Sequence, residues 1–152
     1  MGTITVRPPR AEDMGPLVDV HVKARRSYYE GHVPEAELAA WERSARATGY
    51  AFDGPDRVWL CADLDAALAG FALVTPGGEL LQLQVDPACW GRGVGHALHE
   101  EAVAALRDLG VTTAHLDVFA HNQRALGFYR GHGWQEVGRE DTHVRMALDL
   151  HV

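Results

Sequence analysis

The stretch from Leu80 to Leu109, LLQLQVDPACWGRGVGHALHEEAVAALRDL, constrains the chain most: a strand, a glycine turn and a helix follow one another directly. Leu81, Leu83 and Val85 alternate with Gln82 and Gln84, the period of a half-buried strand. Asp86-Pro87 ends it, because proline has no N–H and biases the residue before it to extended geometry. Gly91, Gly93 and Gly95 follow at alternate positions. Ala97, Leu98, Ala102, Ala105, Leu106 and Leu109 then keep helical spacing until Gly110.

A glycine turn feeding a helix is a seat for an anion. The first helical N–H groups have no partner within the helix, and they and the helix dipole favour phosphate. Glycines let the backbone approach closely. The phosphate-loop pattern GxxxxGK[ST] is absent, and GxGxxG fails because His96 and Leu98 stand where its last glycine would be. The block Trp90-Gly91-Arg92-Gly93-Val94-Gly95 instead resembles the acetyl-CoA pyrophosphate loop of the GNAT superfamily of N-acetyltransferases, Gln/Arg-x-x-Gly-x-Gly/Ala. Trp90 departs from it, standing where Gln or Arg is usual; the departure removes a side-chain contact and leaves the backbone N–H groups in place.

A second block supports the same resemblance. Asn122 to Trp134, NQRALGFYRGHGW, is similar to the superfamily motif Asn-x-x-Ala-x-x-Phe-Tyr-x-x-x-Gly-Phe/Trp, residue by residue and at the expected distance. Asn122 is a good helix N-cap, Ala125, Leu126, Phe128 and Tyr129 form an apolar face, and Gly131 or Gly133 suits the C-cap.

The remaining segments fit around these two. Thr3–Arg7 reads as a short strand stopped by Pro8-Pro9. Met14, Leu17, Val18, His21, Val22 and Arg25 give a first helix. Gly31 and Pro34 break the chain before a second helix over Glu35–Ala47, carried by Leu38, Trp41 and Ala45. Arg57–Cys61, Leu68–Val74 and Glu79–Val85 read as three strands joined by short turns and therefore antiparallel. Gly70 marks a bulge or a close approach. Thr112–Ala120 is a strand reached through the long helix, which makes a right-handed parallel crossover. Trp134–Arg139 and His143–Leu150 close the sheet as an antiparallel pair. The expectation is a single α/β (α+β) domain over residues 1–152, with about 6–7 mostly antiparallel strands and about four helices. The resemblance adds that the mixed sheet splits to admit the cofactor.

At 152 residues and 47% hydrophobic, the chain has enough apolar material for one core. A net charge of −7 argues against general nucleic-acid binding and suits a cationic small molecule. Two cysteines, Cys61 and Cys89, form no disulfide framework or CxxC metal site, so a reducing cytoplasm is the default compartment. No run is long enough to span a membrane, and the first ten residues do not read as a signal peptide.

The implied reaction sets its own requirements. A lysine-like amine has a reference pKa of about 10.4 and must lose a proton. The oxyanion needs a donor. A thiolate leaving group, with a thiol pKa of about 8.5, has only a modest need for an acid. By resemblance, Trp90, Gly91, Arg92, Gly93, Val94, Gly95 and His96 hold the acetyl-CoA pyrophosphate. The backbone of Leu83 and Val85 pairs with the pantetheine arm, Leu83 N–H faces the oxyanion, Asn122 contacts the cofactor and Tyr129 is the general acid. Asn122 is equally a plain N-cap, and the two roles are compatible. Glu79 is a candidate base through a water relay, since the four residues to Leu83 span roughly 13 Å of strand; it is equally a turn carboxylate. Gln82 and Gln84 can orient water. Tyr28, Tyr29, Glu30 and His32 are acceptor-site candidates, with core packing or solvation as the alternative for each.

His96, His99, His115, His121, His132 and His143 form no recognised metal motif such as HExxH, and solvated side chains are the simpler expectation, with no metal required. The resemblance implies acetyl transfer to a primary amine by direct attack in a ternary complex, the acceptor being a small amine-bearing molecule. A protein lysine or N-terminus, a bulkier acyl donor, a non-catalytic acyl-CoA sensor and a homodimer all remain open at this point.

Overall fold

The computed structural model describes residues 2–151. In chain order the elements are β1 (Ile4–Arg7), α1 (Met14–Tyr29), α2 (Glu35–Thr48), β2 (Val58–Leu64), β3 (Ala67–Val74) and β4 (Leu80–Val85). These are followed by α3 (Val94–Asp108), β5 (Thr113–Phe119), α4 (Gln123–Gly131), β6 (Gln135–Arg139) and β7 (His143–Asp149). The strands form two antiparallel sheets, β1-β2-β3-β4 and β5-β7-β6. A parallel bridge between Glu79 and His115 joins them, with His115 N–H donating to Gly78 O at 2.8 Å. The mixed seven-strand, four-helix architecture agrees with the sequence expectation, and the crossover through α3 is parallel as expected.

The first sheet is buried on both faces, and the alternation along each strand decides which side chain goes where. Trp59, Cys61, Phe71 and Leu73 pack with Leu17 and Val20 of α1. Ala62, Leu64, Ala72 and Val74 face the other way, into the cluster with Val94, Leu98, Ala102 and Leu106 of α3. That second cluster continues through Leu116, Val144 and Met146 of the second sheet to Tyr129 and Trp134. α3 thus spans both sheets. Full burial of one side chain such as Phe71 or Leu98 stabilises the fold by about 1.5–3 kcal/mol.

An ion cluster fixes the first turn of α1. Arg7 donates to both carboxylate oxygens of Asp13, at 2.7 and 2.9 Å, and to Asp63 at 2.8 and 3.1 Å. Asp13 is buried, and the Arg7 guanidinium holds its carboxyl below the usual range.

Two sequence expectations change in detail. Leu81 does not share the buried face of Leu83 and Val85. The register slips so that Leu80 pairs with Val74 and Gln82 with Leu73, which leaves Leu81 as the extra residue of a bulge. Leu80 is buried in its place, and Leu81 is 39% exposed. Leu109 likewise lies beyond the last turn of α3 and is exposed, while Val94, His99 and Val103 complete the buried face. Gly70 satisfies both readings of its position. The β2–β3 register shifts beside it, and a Cβ there would lie 2.7 Å from the Gln84 carbonyl oxygen and 3.0 Å from Leu98 Cδ1.

Candidate active site

Beyond the Glu79–His115 bridge, no further bridge links β4 to β5 among the described residues. β4 is therefore the edge of the first sheet where it runs on to Val85, and a cavity of about 390 Å³ opens against it. Four elements supply its walls. β4 gives Leu83, Gln84 and Val85; α1 gives Ala24, Ser27 and Tyr28; the turn and first residues of α3 give Trp90 through His96 except Arg92; α4 and its cap give Asn122, Arg124, Ala125, Phe128 and Tyr129.

The glycine turn is built locally. Asp86 accepts from Ala88 N–H at 3.0 Å and caps a single 3-10 turn over Pro87–Cys89, which carries the chain away from β4. Gly93, the N-cap of α3, has φ +87°, a left-handed conformation that costs other residues about 1–2 kcal/mol. The turn and the start of α3 meet at the cavity, so the unpaired N–H groups of a helix start lie beside it. Asn122 caps α4 by accepting from Ala125 N–H at 3.1 Å, as its N-cap reading expects, and also lines the cavity.

Trp90 carries a feature that the sequence motif does not reveal. The Arg124 guanidinium lies 3.8 Å from the centre of the Trp90 ring, a cation–π contact that places a positive charge at the cavity wall. The signal available in the sequence was only an arginine in the first turn of α4.

Two phenols line the cavity, Tyr28 from α1 and Tyr129 from α4. Tyr129 is 8% exposed, and burial pushes its pKa above the ordinary tyrosine value, with the nearby Tyr28 adding to the shift. Tyr28 is pushed up to about 12, chiefly by burial, although Gln84 Nε2 donates to its hydroxyl at 3.3 Å. Gln84 Nε2 also reaches Gln82 Oε1 at 2.9 Å. Both phenols are therefore neutral O–H donors at physiological pH.

The remaining candidates lie outside the cavity. Arg92 does not line it. Glu79 accepts from Arg145 Nη2 at 2.6 Å, at the joint between the sheets. Tyr29 packs between Tyr28 and Phe119, with ring centres 4.6 and 4.7 Å away. Glu30 accepts from Arg26 at 3.3 Å and borders a separate shallow depression with Lys23 and Pro87. His32 is stacked on His121 at 4.4 Å. His99 departs from the solvated reading: it is 3% exposed, and its Nε2 accepts from Trp134 Nε1–H at 2.9 Å. Both cysteines are free thiols; Cys61 is buried in the α1 cluster and Cys89 lines the cavity. No helix among the described residues is long and apolar enough to cross a membrane.

Comparison with known proteins gives a consistent result. Residues 18–134 match the acetyltransferase (GNAT) family. A mycothiol acetyltransferase of Beutenbergia cavernae is 37% identical over 109 residues, covering 68% of this chain and 37% of that protein. The chain thus spans well under half the length of that curated relative. The [ribosomal protein bS18]-alanine N-acetyltransferase of Escherichia coli K12 is 33% identical over 96 residues, covering 56% of this chain and 64% of that protein. Among solved structures, the PaiA N-acetyltransferase of Thermoplasma acidophilum in complex with coenzyme A superposes with a TM-score of 0.84 at 21% identity, covering 97% of this chain and 99% of that one.

Proposed function

The chain belongs to the acetyltransferase (GNAT) family, and from that premise we propose that it transfers an acetyl group from acetyl-CoA to the primary amine of a small acceptor, by direct attack in a ternary complex. One observation carries the reading: the free edge of β4, the glycine turn at the start of α3 and the Tyr129 phenol all border the same cavity. An extended arm can pair with the first, a pyrophosphate can sit on the second, and a departing sulfur can take a proton from the third.

Acetyl-CoA supplies an activated thioester carbonyl and a thiol leaving group. The residues divide the work around it. The N–H groups from Gly91 to His96 hold the pyrophosphate, and Arg124, steadied on Trp90, adds a positive charge in place of the side-chain contact that a Gln or Arg at position 90 would bring. The backbone of Leu83 and Val85 aligns the arm, and Leu83 N–H donates to the carbonyl oxygen as charge develops there. Tyr129 would direct its O–H at the departing sulfur, and the proton released by the acceptor amine, passed on through water, would restore the phenol as the thiol leaves. Asn122 holds the start of α4, and with it Tyr129, against the cofactor.

Deprotonation of the acceptor amine falls in this reading to water ordered by Gln84 and the Tyr28 hydroxyl. Glu79 is tied to Arg145 away from the cavity and acts as a structural anion at the sheet joint. Tyr28 is the acceptor-side residue that borders the cavity; Tyr29 and His32 support it from behind, through Phe119 and His121.

The test is a thiol-release assay with acetyl-CoA against polyamines, amino acids, aminoglycosides and a lysine peptide. Turnover of a small amine that weakens in Tyr129→Phe is the expected result. Turnover confined to the peptide moves the acceptor to proteins. Tight acetyl-CoA binding without turnover on any acceptor replaces catalysis with sensing.

A further inference from the structure

At the rim of the cavity, where α3 meets the end of α4, three side chains converge that the proposed acetyl transfer does not use. His96 and Glu100 lie one helical turn apart on α3, and His132 caps α4. One ligand-capable atom from each falls within 4.8 Å of the others. His96 Nδ1 and His132 Nε2 are 2.9 Å apart. We propose that His96, Glu100 and His132 form a three-ligand site for one divalent ion of the zinc class, with the remaining coordination position open to solvent.

The orientation of His132 is fixed without any ion. Its Nδ1 is 2.8 Å from the Phe128 carbonyl oxygen, which can only accept, so Nδ1 carries the hydrogen and Nε2 presents a lone pair toward His96. Its ring is stacked on Phe128 at 4.1 Å and flanked by His99 at 4.5 Å. A backbone carbonyl on the far nitrogen is the arrangement that orients histidines bound to metals.

Glu100 has a comparable support. Trp134 Nε1–H occupies Nε2 of His99, so the hydrogen of neutral His99 sits on Nδ1, which faces Glu100 Oε1 at 3.4 Å. One carboxylate oxygen is thereby steadied and the other is free. The buried Trp134–His99 pair thus acts behind Glu100 as the Phe128 carbonyl acts behind His132.

The distances suit a tetrahedral ion. Zinc with nitrogen ligands at about 2.0–2.1 Å needs its two nitrogens about 3.3 Å apart. Opening the observed separation by a few tenths of an ångström is within the reach of the exposed His96 side chain. The single hydrogen now shared between the two nitrogens moves to Nε2 of His96, so binding to the neutral pair changes the tautomer without releasing a proton. Two imidazoles and one carboxylate favour zinc or cobalt over magnesium or calcium, which take oxygen ligands.

The experiment is a cobalt titration of the tag-free full chain, read by the visible bands of four-coordinate cobalt, followed by displacement with zinc. One ion per chain is expected. Glu100→Gln, an exposed change that leaves the fold intact, and His132→Ala should each weaken binding at least about tenfold. Cys89→Ala should bind as the unmodified chain does. Failure of the unmodified chain to bind cobalt overturns the site, and so does unchanged affinity in Glu100→Gln or in His132→Ala. Loss of binding in Cys89→Ala overturns it as well, by placing the ion at the thiol.

Discussion

Arg145 on β7 donates to Glu79 at 2.6 Å, and the same guanidinium reaches Asp117 on β5 at 3.2 Å. One side chain of the second sheet thereby holds the turn that leads into β4 at the only bridge between the sheets among the described residues.

Glu79→Gln therefore tests structure against catalysis. The pair is partly exposed, so its loss should cost at most about 1 kcal/mol. Turnover should stay within about threefold of the unmodified protein, whereas a general base contributes about 10²–10⁴-fold. Steady-state thiol release decides between them, and a drop of a hundredfold would return Glu79 to the base role.

Tyr129→Phe should slow turnover at least about tenfold while leaving coenzyme A affinity close to its original value. The buried phenol stays protonated across the ordinary assay range, because its pKa lies above the free tyrosine value. The alkaline side of the kcat profile up to about pH 10 should consequently keep its shape in this variant. Calorimetry with coenzyme A and a pH series of kcat provide the check.

Gly93→Ala and Gly93→Asp separate strain from charge. Either side chain must adopt φ +87°, at about 1–2 kcal/mol. The carboxylate also repels a pyrophosphate seated on the same turn. Alanine should weaken coenzyme A binding about tenfold and aspartate at least about a hundredfold. Equal affinities in titration calorimetry would remove the turn from the binding site.

Gly70→Ala addresses the fold. The added methyl would sit 2.7 Å from the Gln84 carbonyl oxygen and 3.0 Å from Leu98, so β3 and β4 must separate. A loss of about 1–3 kcal/mol is expected from such overpacking. The midpoint of urea unfolding should fall, and coenzyme A affinity with it, since Gln84 borders the cavity.

His21 makes stability sensitive to acid. Burial, and secondarily the charge of Arg25, push its pKa from the ordinary 6.5 down to about 4. Between those values the unfolded chain binds a proton that the native state refuses, so stability falls as pH drops from about 6.5 to about 4, by up to about 3 kcal/mol. Urea midpoints at several pH values should show this slope, and His21→Leu should flatten it.

The parts legible in the sequence were those encoded locally. The presence of β4, the glycine turn, the cap at Asn122 and the apolar face of α4 all depend on neighbours within a few residues. What escaped depends on register or on distant partners. A one-residue bulge exchanges Leu81 for Leu80 in the core, and no spacing rule reports it. His99 is buried because Trp134, 35 positions away, donates to it. Arg124 stacks on Trp90 from another element. Glu79 and Arg145 meet only because the chain reverses through two sheets.

The free edge of β4 has a second consequence. A row of unpaired backbone groups beside apolar side chains is a template on which strands of other chains can grow. A cofactor arm lying along that edge would occupy the template for as long as it stays. On the proposed function, acetyl-CoA held along that edge would guard the protein against self-association as well as supply the acetyl group.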